Sequence, residues 1–179
     1  MIESYAMFHI SLVRSDVKNW QEKKKKLLKL ANSRSFDVRC GEFVLSDFSH
    51  FKRSDSDYTE QIQEILEDDI KQSELLIGDG ELKISNTWFE KSKKGMSHQI
   101  HNHGALGYSG ICYIQYDKKE HTPVQFVAPY NSVRHGQSIH YQPHDIREGT
   151  LLIFPSFVHH FTLPNQSNKE RICLSFNFT

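Results

Sequence analysis

After the turn signal Gly78-Asp79-Gly80 the chain breaks into short segments rich in β-branched and aromatic residues, at 81–89, 110–116, 124–127, 150–154 and 171–178. Such residues suit a pleated, half-buried surface, and segments of this length read as strands. Turn-forming clusters separate them at 93–95, 117–119, 129–131, 143–145, 148–149 and 164–168. The even spacing is that of an antiparallel sandwich or jelly roll. No internal repeat, low-complexity tract or linker long enough to divide two domains interrupts it.

The part before this β-rich region has a different period. Residues 4–13 carry Tyr5, Phe8, Ile10, Leu12 and Val13 and read as a strand. Val17, Trp20, Leu27, Leu28 and Leu30 then recur near helical spacing up to Ala31, with Asp16 placed to cap the helix. Lys23 to Lys26 form a solvated face of that helix, beside Glu22. Residues 46–57 are polar and read as a loop. From 58 to 76, Ile62, Ile65, Leu66, Ile70 and Leu75 are spaced for the buried face of a second helix.

Composition excludes several classes of function. Lysine plus arginine equals aspartate plus glutamate, at 22 each, so no single-sign field draws the protein to nucleic acid or an anionic membrane. No apolar run is long enough to span a bilayer, and Glu3 stands where a signal peptide needs basic and then apolar residues. The three cysteines, Cys40, Cys112 and Cys173, are odd in number with no CxxC spacing, which fits a reducing compartment. Cys112 and Cys173 lie in apolar runs and read as core residues. The expectation is a soluble, cytoplasmic protein whose partners must be argued from a site.

That site is marked by histidine. Nine of the 11 histidines fall between His98 and His160. In His101-Asn102-His103, two imidazoles stand two residues apart, and on a strand that spacing points both to one face of the sheet. A third comes from the run Leu151 to His160, where an apolar strand ends at a turn and delivers a histidine. Imidazole suits iron, zinc, copper and nickel, and a three-ligand face leaves positions open for other molecules. Arg171 opens the last strand, and period-2 alternation sets Cys173, Ser175 and Asn177 on its face. An arginine pointing inward needs an anion, and its planar fork matches a carboxylate, either of a small dicarboxylic acid or of Glu170 or Asp145.

Four blocks in this order resemble a family of 2-oxoglutarate and Fe(II)-dependent oxygenases: His101-Asn102-His103-Gly104; Ser109-Gly110-Ile111-Cys112-Tyr113-Ile114; Phe154-Pro155-Ser156-Phe157 with His160 and Pro164-Asn165; and Arg171-Ile172-Cys173-Leu174-Ser175-Phe176-Asn177. The similarity runs from about Trp88 to Phe178. It implies a mostly β fold, a double-stranded β-helix (jelly-roll, cupin-like) with two N-terminal helices packed on the sheet. It also implies one domain over 1–179, with 1–80 as helical support and 81–179 as the jelly-roll core with the metal site.

The resemblance further implies His101, His103 and His160 as iron ligands, with His160 rather than His159 in the family's position, and Arg171 as the anchor for the distal carboxylate of 2-oxoglutarate. Tyr113 and Ser109 are candidates to hydrogen-bond 2-oxoglutarate, and Asn177 to orient a ligand or water. Trp88 is expected in the core. Where most of the wider superfamily carries aspartate or glutamate, this chain has His103, which leaves more positive charge on the metal. Cys173 stands where the family's strand often has serine, and Cys112 where it often has tyrosine.

The resulting expectation is an oxidoreductase, a non-haem iron dioxygenase that uses Fe(II), 2-oxoglutarate and O2 to hydroxylate a small molecule or peptide. Two alternatives share the histidines: a three-histidine dioxygenase that does not use 2-oxoglutarate, and a non-catalytic metal-binding jelly-roll module. The polar stretch 128–145, with Tyr130, Arg134, His135, His140, Tyr141 and His144, is a candidate rim or lid.

Overall fold

A computed structural model of the protein describes residues 9–38, 43–48 and 58–178. Two antiparallel sheets form its body. The larger is built from β1 (Val13–Asp16), β2 (Asp37–Val38), β3 (Leu45–Ser46), β4 (Ile84–Ser92), β6 (Tyr108–Gln115), β9 (Thr150–Pro155) and β11 (Arg171–Phe178). Its spatial order is β1-β9-β6-β11-β4-β3-β2. The smaller contains β5 (His98–His101), β7 (Gln125–Asn131), β8 (Ser138–Tyr141) and β10 (His159–Thr162), in the order β5-β10-β7-β8. With its two helices, this is the mostly β jelly roll expected from the sequence.

The large sheet is buried on both faces, and its central strands alternate between two apolar layers. From β9, Leu151 and Ile153 face one layer and Leu152 and Phe154 the other. From β6, Cys112 and Ile114 oppose Tyr113. From β11, Ile172, Leu174, Phe176 and Phe178 join the first layer, and Cys173 joins the second. The first layer is closed by α1 (Trp20–Asn32) through Leu27 and Ala31, and by α2 (Thr59–Ile77) through Ile62, Leu66 and Ile70. The second layer meets Val124, Phe126 and Val158 beside and within the small sheet. Burial on both faces is why these strands read as nearly continuous apolar runs.

Polar anchors fix the helices. Asp69 on α2 is 2% exposed and accepts the Lys18 backbone N–H at 2.9 Å and Lys23 Nζ at 2.7 Å. Asp47 accepts the Tyr58 hydroxyl, the Phe89 N–H and Arg34 Nε. α2 stops at Gly78, whose φ of 78° allows its N–H to return to Glu74 O.

Several sequence expectations are corrected. Asp16 does not cap α1: it ends β1 and pairs with Arg147, while Asn19, at φ 53°, precedes the helix and its carbonyl accepts the N–H groups of Glu22 and Lys23. Lys23 and Lys24 are not merely solvated, since they reach Asp69 and Glu148. Leu75 is 84% exposed, because at about 100° per residue it sits some 140° around the helix from Ile70. β8 and the longer β7 bring regular structure into the 128–145 stretch. Of the expected strand 4–13, residues 4–8 lie outside the described residues and 9–12 precede the strand, which begins at Val13; 49–57 of the expected loop also lie outside the described residues. Cys112 and Cys173 are buried and unpaired. No helix among the described residues is long and apolar enough to cross a membrane.

Gly110 is a position where packing leaves no room for a side chain. A Cβ there would lie 2.0 Å from the ring of Phe176, itself fully buried. Gly110→Ala is expected to lower folding stability by about 1–3 kcal/mol, read as a lower denaturant midpoint at unchanged slope.

Candidate metal centre

Cross-strand pairing brings the histidines together. β10 runs antiparallel to β5 with His160 directly opposite His101. His103 lies two residues beyond the end of β5, and its backbone N–H donates to Ser156 O at 2.9 Å, which ties it to the turn before His160. One ligating atom from each of His101, His103 and His160 lies within 4.8 Å of the others. His160 is 4% exposed, whereas its neighbour His159 is exposed and its Nε2 faces the Asn102 amide at 3.4 Å. His160 is therefore the member of the doublet that joins the cluster.

Each ring is held by an oxygen at Nδ1. His101 Nδ1 donates to Gln99 O at 2.8 Å, His160 Nδ1 to Val158 O at 3.0 Å, and His103 Nδ1 to Asn177 Oδ1 at 2.6 Å. An oxygen acceptor requires the hydrogen on Nδ1, which leaves the Nε2 lone pair for a metal. Asn177 Oδ1 also accepts the Ser109 hydroxyl at 2.9 Å, and Ser109 meets Ser156 Oγ at 2.8 Å. Burial, then the neighbouring imidazoles, lower the His101 pKa to about 4 and that of His160 to about 3. Both rings are neutral near pH 7, the state that binds a metal. Three fixed nitrogen donors fit Fe(II).

The surroundings differ in part from the sequence reading. Ser109 and Asn177 brace His103. Trp88 is buried as expected, but its ring also stacks on His103 at 5.4 Å and its indole N–H donates to Glu90 Oε1 at 2.8 Å. His98 stacks on His101 at 4.0 Å. A pocket of about 330 Å³ over the histidines is lined by Phe48, Trp88, His98, Asn102 and Asn177. Tyr130, Arg134, His135, His140, Tyr141 and His144 are exposed and do not line it. The sequence reading missed Phe48, Glu90 and His98. The available signal was period two on β4, which sets Trp88 and Glu90 on one face and demands a partner for an inward carboxylate.

Arg171 is 5% exposed and donates to Thr122 O at 2.7 Å. No carboxylate among the described residues lies within ion-pair distance of it: Asp117 and Glu120 pair with Lys169, and Glu90 with His98. The guanidinium borders a small cavity with Glu90, Ser92, Tyr113, Thr162 and Cys173. Tyr113 Oη accepts the Val124 N–H at 3.0 Å. Burial pushes the Tyr113 phenol and the Cys173 thiol up, the latter to about 12, so both stay protonated.

The sequence profile of a family described as "Putative 2OG-Fe(II) oxygenase" matches residues 86–177, just over half of the chain. The chain belongs to this family. It is therefore an oxidoreductase, a non-haem iron dioxygenase whose co-substrates are 2-oxoglutarate and O2. No curated protein sequence matches it. Solved structures share the oxygenase's fold. A prolyl-4-hydroxylase from Pseudomonas putida is 14% identical, with a TM-score of 0.60 over 94% of this chain and 92% of that one. The epimerase SnoN, in complex with Fe3+, α-ketoglutarate and nogalamycin RO, is 12% identical, with a TM-score of 0.69 over 94% and 78%. A prolyl hydroxylase from Trichoplax adhaerens, bound to a hypoxia inducible factor peptide, is 9% identical, with a TM-score of 0.62 over 93% and 82%.

Two expectations follow from this geometry. Asn177→Ala, which frees the His103 ring, is expected to weaken metal binding by about 10- to 100-fold with the fold retained, measured by titration with Mn(II). In the unfolded chain His101 and His160 titrate near about 6.5, above their folded values, so in between the unfolded state binds more protons. Stability of the metal-free oxygenase should therefore fall as pH drops from 7 to 5, seen as a lower denaturant midpoint.

Proposed function

We propose that this oxygenase is a hydroxylase of a small molecule or peptide, that His101, His103 and His160 hold Fe(II) through Nε2, and that Arg171 anchors 2-oxoglutarate. The observation that carries this is the pairing of three Nε2-directed imidazoles with a buried guanidinium for which the described chain supplies no carboxylate. A buried cation without a counter-charge is costly, and the distal carboxylate of a dicarboxylic acid matches its fork. A dioxygenase that takes no 2-oxoglutarate would leave that burial without a purpose.

Bound iron and 2-oxoglutarate supply the oxidising chemistry. The chain contributes placement. The hydrogen bonds at Nδ1 keep the three rings aimed at one point, and Trp88 limits rotation of His103. Three protein ligands leave positions for the co-substrate and dioxygen. Arg171 binds one end of the co-substrate while the protonated Tyr113 and Cys173 form the wall beside it. The paired sheets keep bulk water from this layer. The aromatic edge of Phe48 and Trp88 with the Asn102 amide receives the prime substrate. The fold it shares holds a peptide in the Trichoplax prolyl hydroxylase and the small molecule nogalamycin RO in SnoN. We place the enzyme in the cytoplasm, where unpaired Cys112 and Cys173 stay reduced.

Calorimetry of 2-oxoglutarate binding to the Mn(II)-loaded enzyme tests the assignment. Arg171→Ala should weaken binding by at least about 30-fold, the equivalent of about 2 kcal/mol. Metal-loaded wild type and Arg171→Ala binding 2-oxoglutarate equally would contradict it.

A further inference from the structure

β4 carries a carboxylate that the proposed mechanism does not use. The Glu90 side chain is 15% exposed. Its Oε1 accepts the Trp88 indole N–H at 2.8 Å, and its Oε2 lies 3.4 Å from His98 Nδ1. Glu90 borders the Arg171 cavity, while its two partners line the pocket over the histidines. The carboxylate thus sits in the wall between the two. Among the described residues no lysine or arginine pairs with it; its second partner is the His98 imidazole, which is charged only when protonated and whose ring stacks on His101.

The charge of the buried unit gives this position a role. An iron site of two histidines and one carboxylate, with one arginine and dianionic 2-oxoglutarate, is neutral as a whole. With three neutral histidines, the same arginine and the same dianion, one positive charge is left over, and burying it is costly. We infer that Glu90, beside a neutral His98, supplies the missing negative charge from outside the ligand set and acts as a positioning residue for the metal. This rests on the assignment of the metal to His101, His103 and His160.

The groups around Glu90 keep it ionised. Burial raises the Glu90 carboxyl, but His98, the Trp88 indole and His101 together outweigh it and hold the carboxyl well below the usual range. The field of Glu90 also reaches the rings of both His101 and His160. Trp88 has two tasks on this reading, since one face steadies His103 while its N–H steadies Glu90.

The test is titration with Mn(II), followed by the electron paramagnetic resonance signal of the free ion, in wild type, Glu90→Gln, Glu90→Asp and His103→Ala. Glutamine keeps the shape and the acceptor for Trp88 but not the charge. Glu90→Gln should bind Mn(II) about 10- to 100-fold more weakly, while Glu90→Asp should recover most of the affinity. The iron reduction potential of Glu90→Gln should also move positive. Glu90→Ala is a second variant, in which formate should restore affinity and formamide should not. Folded Glu90→Gln with wild-type affinity, or equal rescue by formate and formamide, would overturn the inference and leave the histidine assignment standing. Wild type that binds no Mn(II), or binds it no better than His103→Ala, would overturn both.

Discussion

The register of β11 is the constraint on which the site depends. This strand lies between β4 and β6 and pairs with each along nearly its whole length. Its even-numbered residues, Ile172, Leu174, Phe176 and Phe178, fill the layer under the helices. Its odd-numbered residues, Arg171, Cys173, Ser175 and Asn177, point between the sheets. A slip of one residue would drive a guanidinium and an amide into the helical layer and expose four apolar side chains to the site. The hydrophobic layer thus selects the register, and the register places both Arg171 and the brace for His103.

Function rests on polar groups admitted to a buried layer under strict pairing. Asn177 is satisfied by His103 and Ser109, Glu90 by Trp88 and His98, and each of the three imidazoles by an oxygen at Nδ1. Arg171 stands apart, with one backbone carbonyl and no carboxylate among the described residues. In a low-dielectric layer, such a departure from full pairing is where a ligand is expected. The proposed co-substrate anchor, Arg171, and the brace for His103, Asn177, sit along one strand because one face of it is polar.

Much of this was legible in the sequence. β11 follows its alternation from Arg171 to Phe178, since strict period two over two buried faces leaves little freedom. The histidine pair and Arg171 stand out because imidazoles in tandem and an inward arginine are costly unless used. What was not legible depends on contacts between distant segments. Asp16 has the chemistry of a cap, but Arg147 holds it in a strand. His103 leaves the strand that its spacing suggests and is kept near His101 by Ser156, a residue of another turn. The supporting roles of Trp88, Glu90 and His98 require knowing that β4 lies against the histidine cluster, which pairing through β11 determines. The polar stretch 128–145 looked like a rim by composition, yet the pocket wall comes from Phe48, Trp88 and Asn102.

The central claim is that one layer between the sheets holds iron on three histidines and 2-oxoglutarate beside it. The most direct measurement is the visible absorption spectrum of the Fe(II)-loaded protein titrated with 2-oxoglutarate in the absence of oxygen. The account predicts a weak charge-transfer band, from a keto acid chelated to iron, that is lost when His103 is replaced by alanine. Iron demonstrably bound, with no band at saturating 2-oxoglutarate, would contradict it.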